Sequence, residues 1–143
     1  MDAFLPAPSP QARRGAASLT RLGKTAGMDD KANLAEKIGL LEQPYSPGIV
    51  GYLNDYKLVV VKVKGEFVWH KHDDTDDFFL VLKGEIDIQL RDRVVTLGPG
   101  EMFVVPKGVE HHPVARDEAH ILLIEPTGTP NTGDKATAAP RKL

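Results

Sequence analysis

The chain has 143 residues, a formal charge of −2, 41% apolar and 27% charged side chains, the make-up of one globular domain with a real core. It has no cysteine, which excludes disulfides, a thiolate nucleophile and any cysteine-ligated zinc or iron–sulfur site. The charge offers no basic face for nucleic acid, no apolar run is long enough to span a membrane, and the opening MDAFLPAPSP lacks the basic start and apolar stretch of a secretory signal, so a cytoplasmic protein is expected.

In chain order, residues 1–28 read as a disordered tail. Within it QARRGAASLTRLGKTAG carries Arg13, Arg14, Arg21 and Lys24 and no acid. That composition is shared with organelle transit peptides, although a solvated tail is the plainer reading. MDDKANLAEKIGLLE places Leu34, Ile38 and Leu41 at helical spacing, with Asp29 or Asp30 able to cap the start and Pro44 and Pro47 closing the segment. From Gly48 onward the signal is strand. GIVGYL and YKLVVVKVKG flank the turn pair Asn54–Asp55. EFVWHKH, DDFFLVL, EIDIQL, RVVTL, MFVVP, HHPVA and HILLIEP follow as short strands broken by Gly, Pro or Asp turns. Even spacing without room for helical crossovers predicts an all-β antiparallel sandwich or barrel over residues 29–128. Residues 129–143, rich in Gly, Pro, Thr and Ala, read as a second disordered tail.

Several strands are apolar on both faces. In DDFFLVL, Phe79 and Val81 point one way and Phe78, Leu80 and Leu82 the other. One face can line the barrel; the other needs the helix, another sheet or another subunit, and a homodimer is the simplest cover.

The stretch WHKHDDTDD holds His70 and His72 two residues apart, a spacing that points both side chains the same way on a strand. If they face inward, Asp77 at the start of the next strand and His111 at the start of a later one can converge on them, giving three imidazoles and a carboxylate. The bland alternative is a polar turn with histidines nearby. Asp73, Asp74 and Asp76 read as that solvated turn, Trp69 as packing outside the barrel, and His112 as pointing away from His111. His120 can reach the cavity as a general base or sit satisfied at a strand end. Phe67, Phe79, Met102 and Phe103 are candidates for core or cavity wall, and Lys62, Lys64 and Lys107 read as surface.

The flanks sharpen this. Gly65…His70–Lys71–His72…Asp77…Gly84 and Gly100…Pro106–Lys107–Gly108…His111 resemble the two motifs of the cupin superfamily, in the right order. The chain resembles the small single-domain cupins often labelled mannose-6-phosphate isomerase-like. The resemblance implies a double-stranded β-helix, or jelly-roll barrel, and a divalent metal ion (Zn, Fe, Mn or Ni) held by His70, His72, Asp77 and His111. Two departures stand out. Asp77 occupies a position where glutamate is usual, one methylene longer, so the strand sits closer, a water bridges, or Asp77 supports three histidine ligands from behind. Ala115 falls where an asparagine often closes the second motif. Two function classes follow: a metal-dependent enzyme on a small oxygen-rich substrate, isomerase-like or dioxygenase-like, and a non-catalytic binder of a small-molecule ligand.

Overall fold

A computed structural model describes residues 30–130 and 140–143. The chain divides into two compact units, Met1–Lys31 and Ala32–Leu143. Nearly all of the first, including the tail expected over residues 1–28, lies outside the described residues.

The second unit opens with one short helix, α1 (Leu34–Gly39). The cap is Asn33, whose Oδ1 accepts from the Glu36 amide at 3.1 Å. The sequence reading placed an aspartate there. Asp30 instead accepts from its own neighbour, the Lys31 amide, and Asp29 is outside the described residues. Ile38 is buried and joins Leu41, Val50 and Val60 in a small apolar cluster beneath the helix.

Eight strands follow: β1 (Gly48–Leu53), β2 (Tyr56–Glu66), β3 (Asp77–Lys83), β4 (Ile86–Leu90), β5 (Val94–Leu97), β6 (Met102–Val105), β7 (His111–Pro126) and β8 (Arg141–Lys142). The order along the sheet is β5-β4-β7-β2-β1-β8, with β3 paired to both β6 and β7. Strand β7 organises the fold. One edge runs antiparallel to β2 from Val114 to Pro126. Its other edge pairs with β4 through His111–Val114 and then with β3 through His120–Ile124. HHPVA and HILLIEP, expected as two strands, are thus one strand through Arg116–Asp117–Glu118, because both ends are held in the same ladders. The chain passes from β3 to β4 at Gly84 (φ 80°), where a Cβ would press on Ala119 of β7 at 3.0 Å.

The interior wall is built by alternation. Val59, Val61 and Val63 of β2, Phe79 and Val81 of β3, Ile86 and Ile88 of β4, and Ile121 and Leu123 of β7 point inward and pack together. Burying each of these side chains contributes roughly 1.5–3 kcal/mol, so the barrel interior, not the helix, carries most of the stability. Among the described residues no helix is long and apolar enough to cross a membrane.

The other tail also differs from expectation. Arg141–Lys142 adds a parallel strand beside Gly48 and Ile49, the Leu143 amide donates to the Ile49 carbonyl at 2.8 Å, and the Leu143 side chain packs on the cluster beneath α1. Residues 131–139 lie outside the described residues.

Candidate metal centre

The segment EFVWHKH does not complete a strand. After β2 it leaves the sheet and returns at one bridge: the His70 amide donates to the His111 carbonyl at 3.0 Å, and the His111 amide to the His70 carbonyl at 2.9 Å. This bridge sets the two rings side by side, centroids 4.3 Å apart. The His72 carbonyl accepts from the Gly108 amide at 2.8 Å, where Gly108 takes φ 78° in the turn before β7. Asp76 Oδ1 accepts from the Lys107 amide at 2.9 Å and ties the β2–β3 loop to the same turn. Two loops far apart in sequence are thereby fixed against each other, and Asp77 enters as the first residue of β3.

The result brings His70, His72, Asp77 and His111 together, with one candidate ligand atom from each lying within 4.8 Å of all the others. His72, Asp77 and His111 are buried and His70 is half-buried. The rings are oriented from behind. His70 Nδ1–H donates to the Val68 carbonyl at 2.8 Å, and His111 Nδ1–H to the Val109 carbonyl at 2.9 Å. A carbonyl can only accept, so each neutral ring carries its proton on Nδ1 and leaves a lone pair on Nε2. His111 Nε2 lies 2.9 Å from Asp77 Oδ2, and His72 Nε2 lies 3.4 Å from the same oxygen. A neutral His111 in this tautomer would set a lone pair against a carboxylate oxygen. The arrangement calls for positive charge there, either a proton on Nε2 or a cation bound between the groups. Three imidazoles and one carboxylate, oriented by backbone carbonyls, are a donor set that fits a divalent transition metal.

The electrostatics agree. Burial pushes the His70 pKa down to about 4, helped by the neighbouring His111 and His72 rings and opposed by the Val68 carbonyl and Asp77, which keeps the ring neutral and able to ligate. Burial opposes charge on His72 too, but the Asp77 hydrogen bond and the charges of Asp77, Glu125 and Asp73 outweigh it and raise its pKa. For Asp77 burial acts upward, and the hydrogen bonds from His111 and His72 overcome it and hold the carboxyl below its ordinary range.

Other expected residues fall elsewhere. Of the two roles open to His120, cavity base or satisfied strand histidine, the structure matches the second. It sits on the opposite face of β7 from Ile121 and Leu123, with Nε2 2.9 Å from Glu118 Oε2. His112 turns away from the cluster, its Nδ1 2.8 Å from Gln89 Oε1 and its Nε2 3.0 Å from the Phe67 carbonyl. Trp69 stacks on its ring outside the barrel, with the Arg91 guanidinium 3.7 Å from the indole centroid. Ala115 is buried in the core, Phe67 and Phe79 line the cavity, Phe103 packs against the core, and Met102 is exposed.

The cavity beside the cluster spans about 410 Å³ out to its open mouth. Its wall includes two residues the sequence did not single out for the site, Tyr45 and Glu125, and a third, Lys57, stands behind them. Tyr45 stacks on Phe67, centroids 4.7 Å apart, and its hydroxyl donates to the Gly65 carbonyl at 2.6 Å. Burial, with Glu66 nearby, pushes that hydroxyl up to about 12. Glu125 faces the cavity from β7, and behind it stands Lys57, its register partner on β2. Parity carried the signal for both: Lys57 is in phase with Val59, Val61 and Val63, and Glu125 with Ile121 and Leu123, so each is a charge on an inward apolar face.

Residues 57–125 match the Cupin domain family. A cupin-2 domain protein from Shewanella frigidimarina is 49% identical in sequence, with a TM-score of 0.65 over 66% of this chain and 93% of that one. Protein NMB1881 from Neisseria meningitidis is 28% identical, with a TM-score of 0.63 over 68% and 99% of the two chains. The Bacillus subtilis protein YdbB is 28% identical over 59% of this chain and 75% of its own length. The chain belongs to the cupin superfamily, and its described residues form a jelly-roll β fold.

Proposed function

We propose that His70, His72, Asp77 and His111 hold a divalent transition metal, and that the protein uses it on a small hydroxy-carbonyl compound or one of similar oxygen content. The observation that carries this reading is the shared Asp77 oxygen facing a His111 ring whose Nδ1 proton is already committed to a backbone carbonyl. When bound, the metal supplies Lewis acidity to a carbonyl oxygen and its neighbouring hydroxyl. The chain's own residues do the rest. The Val68 and Val109 carbonyls orient His70 and His111, and the Tyr45–Phe67 stack and Phe79 keep water from the apolar wall.

The test is metal analysis of protein purified without a histidine tag. Near-stoichiometric metal in the wild type, lost in His72→Ala and kept in His120→Ala, is the expected result; equal metal in wild type and His72→Ala would sink the reading. Turnover abolished by chelation and restored by metal marks an enzyme, whereas tight binding without turnover marks the non-catalytic class.

A homodimer belongs to the same proposal. The outer face of β3, β6 and β7 presents Phe78, Leu80, Leu122 and Ile124, half-buried, beside Met102 and Val104, 52% and 37% exposed. A second copy is the cover that fits such an apolar sheet face. Light scattering is expected to give twice the chain mass, and Met102→Glu to give the monomer.

A further inference from the structure

We propose that Glu125 is the acid–base residue of this cavity, taking up and returning a proton at its carboxylate, with Lys57 as its positioning residue. The proposal rests on the metal-site reading and adds to it the group that the chemistry lacks.

The wall of the cavity leaves few candidates. His70, His72, Asp77 and His111 are committed to one another and to backbone carbonyls. The Tyr45 hydroxyl donates to the Gly65 carbonyl and holds its proton far above neutrality. Apart from Glu125 the remaining lining residues carry no titratable group. His120, the base suggested by the sequence, faces outward.

Glu125 is placed for the task. It is 4% exposed, yet its carboxylate lines the cavity. Its ion pair is with Lys57, Nζ to Oε1 at 3.8 Å, longer than a hydrogen bond, so the oxygens are biased by the charge and not tied up by it. Lys57 in turn is anchored by donating to the Thr129 carbonyl at 2.7 Å. A buried ion pair is a poor way to stabilise a barrel, because desolvation offsets most of the attraction. Its presence on an otherwise apolar inner wall is explained by a use for the carboxylate. The groups that face it are Lys57 from β2, Asp77 from β3 and His72 from the loop between them. Burial pushes the Glu125 pKa up to about 7, with Asp77 adding to the rise and Lys57 and His72 opposing it. Burial thus favours the protonated form in the metal-free cavity, while Lys57 and His72 keep the ionised form within reach.

The step needs no redox partner. A C–H bond beside the substrate carbonyl breaks, its proton passes to a Glu125 oxygen, and the electron pair stays on the substrate. The same proton, or one exchanged with water, returns to that carbon or to its neighbour.

The test uses dihydroxyacetone as probe in deuterated water, with loss of its C–H signal followed by nuclear magnetic resonance on metal-loaded protein. Glu125→Gln is expected to keep its metal and to lose exchange by about 100-fold or more. Lys57→Met is expected to lower exchange at neutral pH several-fold and to move its pH profile upward, since removing the cation makes the carboxyl harder to ionise. A merely structural Lys57 would leave the profile in place. Exchange in Glu125→Gln equal to wild type overturns the proposal, as does metal-loaded wild type that exchanges nothing. If the wild type holds no metal, the metal-site reading fails by itself. Infrared titration of the metal-free protein then decides for Glu125: a carboxylic-acid band that titrates near neutrality and is missing from Glu125→Gln supports its role, and the absence of such a band overturns it.

Discussion

Inside the barrel, polar side chains gather at two places that are built in opposite ways. The metal-ligand cluster comes from loops and strand beginnings: one β-bridge, a glycine turn and an Asp76 hydrogen bond fix two loops so that four side chains converge. The Lys57–Glu125 pair comes from the middle of regular structure, two register partners on adjacent long strands. In the first, three of the four residues hold one another through the shared Asp77 oxygen, so removing a member unmakes the whole. In the second, each charge leans on the other and on the strand beneath it, so either can be removed without moving the backbone. Metal affinity therefore depends on the cluster, whereas changes in the pair register in stability and in proton transfer but not in metal binding.

The largest effect should come from the cluster. His111 is almost fully buried and touches every part of it: the bridge to His70, the Asp77 oxygen and the Val109 carbonyl. Losing a residue that only supports a ligand typically weakens metal affinity about 10–100-fold. His111→Ala removes a ligand itself and is expected to weaken it by more than about 100-fold. Isothermal titration with zinc or manganese measures this, and near wild-type affinity would remove His111 from the site.

The pair should answer to stability. At pH 8 Lys57→Met leaves an ionised carboxylate buried without its cation, which costs roughly 3–5 kcal/mol when fully realised. Water in the cavity softens this, so urea unfolding is expected to show a loss near the lower end. At pH 5 the carboxyl is protonated and the loss should shrink. A loss equal at both pH values would mean that packing, not charge, is what Lys57 contributes.

The same carboxyl gives a signed pH dependence in the metal-free protein. The folded pKa of Glu125 is raised from 4.5 to about 7. Between those values the folded chain holds a proton that the unfolded chain has released. The associated stability is complete below the unfolded value and is lost as pH rises through about 7, at most roughly 3 kcal/mol. His70 runs the other way: its folded pKa is lowered to about 4, so protonating the unfolded chain weakens the fold as pH falls below 6.5. The two oppose each other in wild type, and the raised His72 pKa acts in the same sense as Glu125. Glu125→Gln should unmask the His70 slope, with stability falling steadily from pH 7 towards 4.5. A variant with the wild-type slope would contradict the cavity electrostatics.

The contrast also explains what could be read in advance. Most strand positions from Gly48 to Leu97 were legible because apolar residues alternate between turn residues, although EFVWHKH leaves the sheet after Glu66, and the cluster was legible because His70, His72 and His111 sit in motifs with fixed spacing. The continuity of β7 was not legible, since Arg116–Asp117–Glu118 looks like a turn until β2 and the two edges of β7 are paired. The two roles of His120 could not be separated in advance because its facing depends on that continuity. Lys57 and Glu125 lay in view as inward-parity charges, but each looks like an error in an apolar strand until the other is seen across from it. Asn33 in place of an aspartate cap is a shift of helix start by one turn, the usual ambiguity where several polar residues precede an apolar run.

The smallest effect concerns the end that the sequence read as a loose tail. Arg141–Lys142 extends the sheet beside Gly48 and Ile49, and the Leu143 side chain fills the space a Cβ at Gly48 would need. Leu143 also packs on the cluster of Ile38, Leu41, Val50 and Val60, and Lys37 Nζ donates to its oxygen at 3.2 Å. Burying a leucine completely is worth roughly 1.5–3 kcal/mol, and Leu143 is buried only in part. Removing residues 140–143 should therefore lower unfolding stability by roughly 1 kcal/mol while leaving metal affinity unchanged, because β1 lies on the far side of β2 from β7. Hydrogen exchange localises the change: the amides of β1 should lose protection and those of β7 should not. Loss of metal on this truncation would mean that the edge of the sheet and the cluster are coupled through β2, and the separation between the sheet edge and the barrel interior would fail.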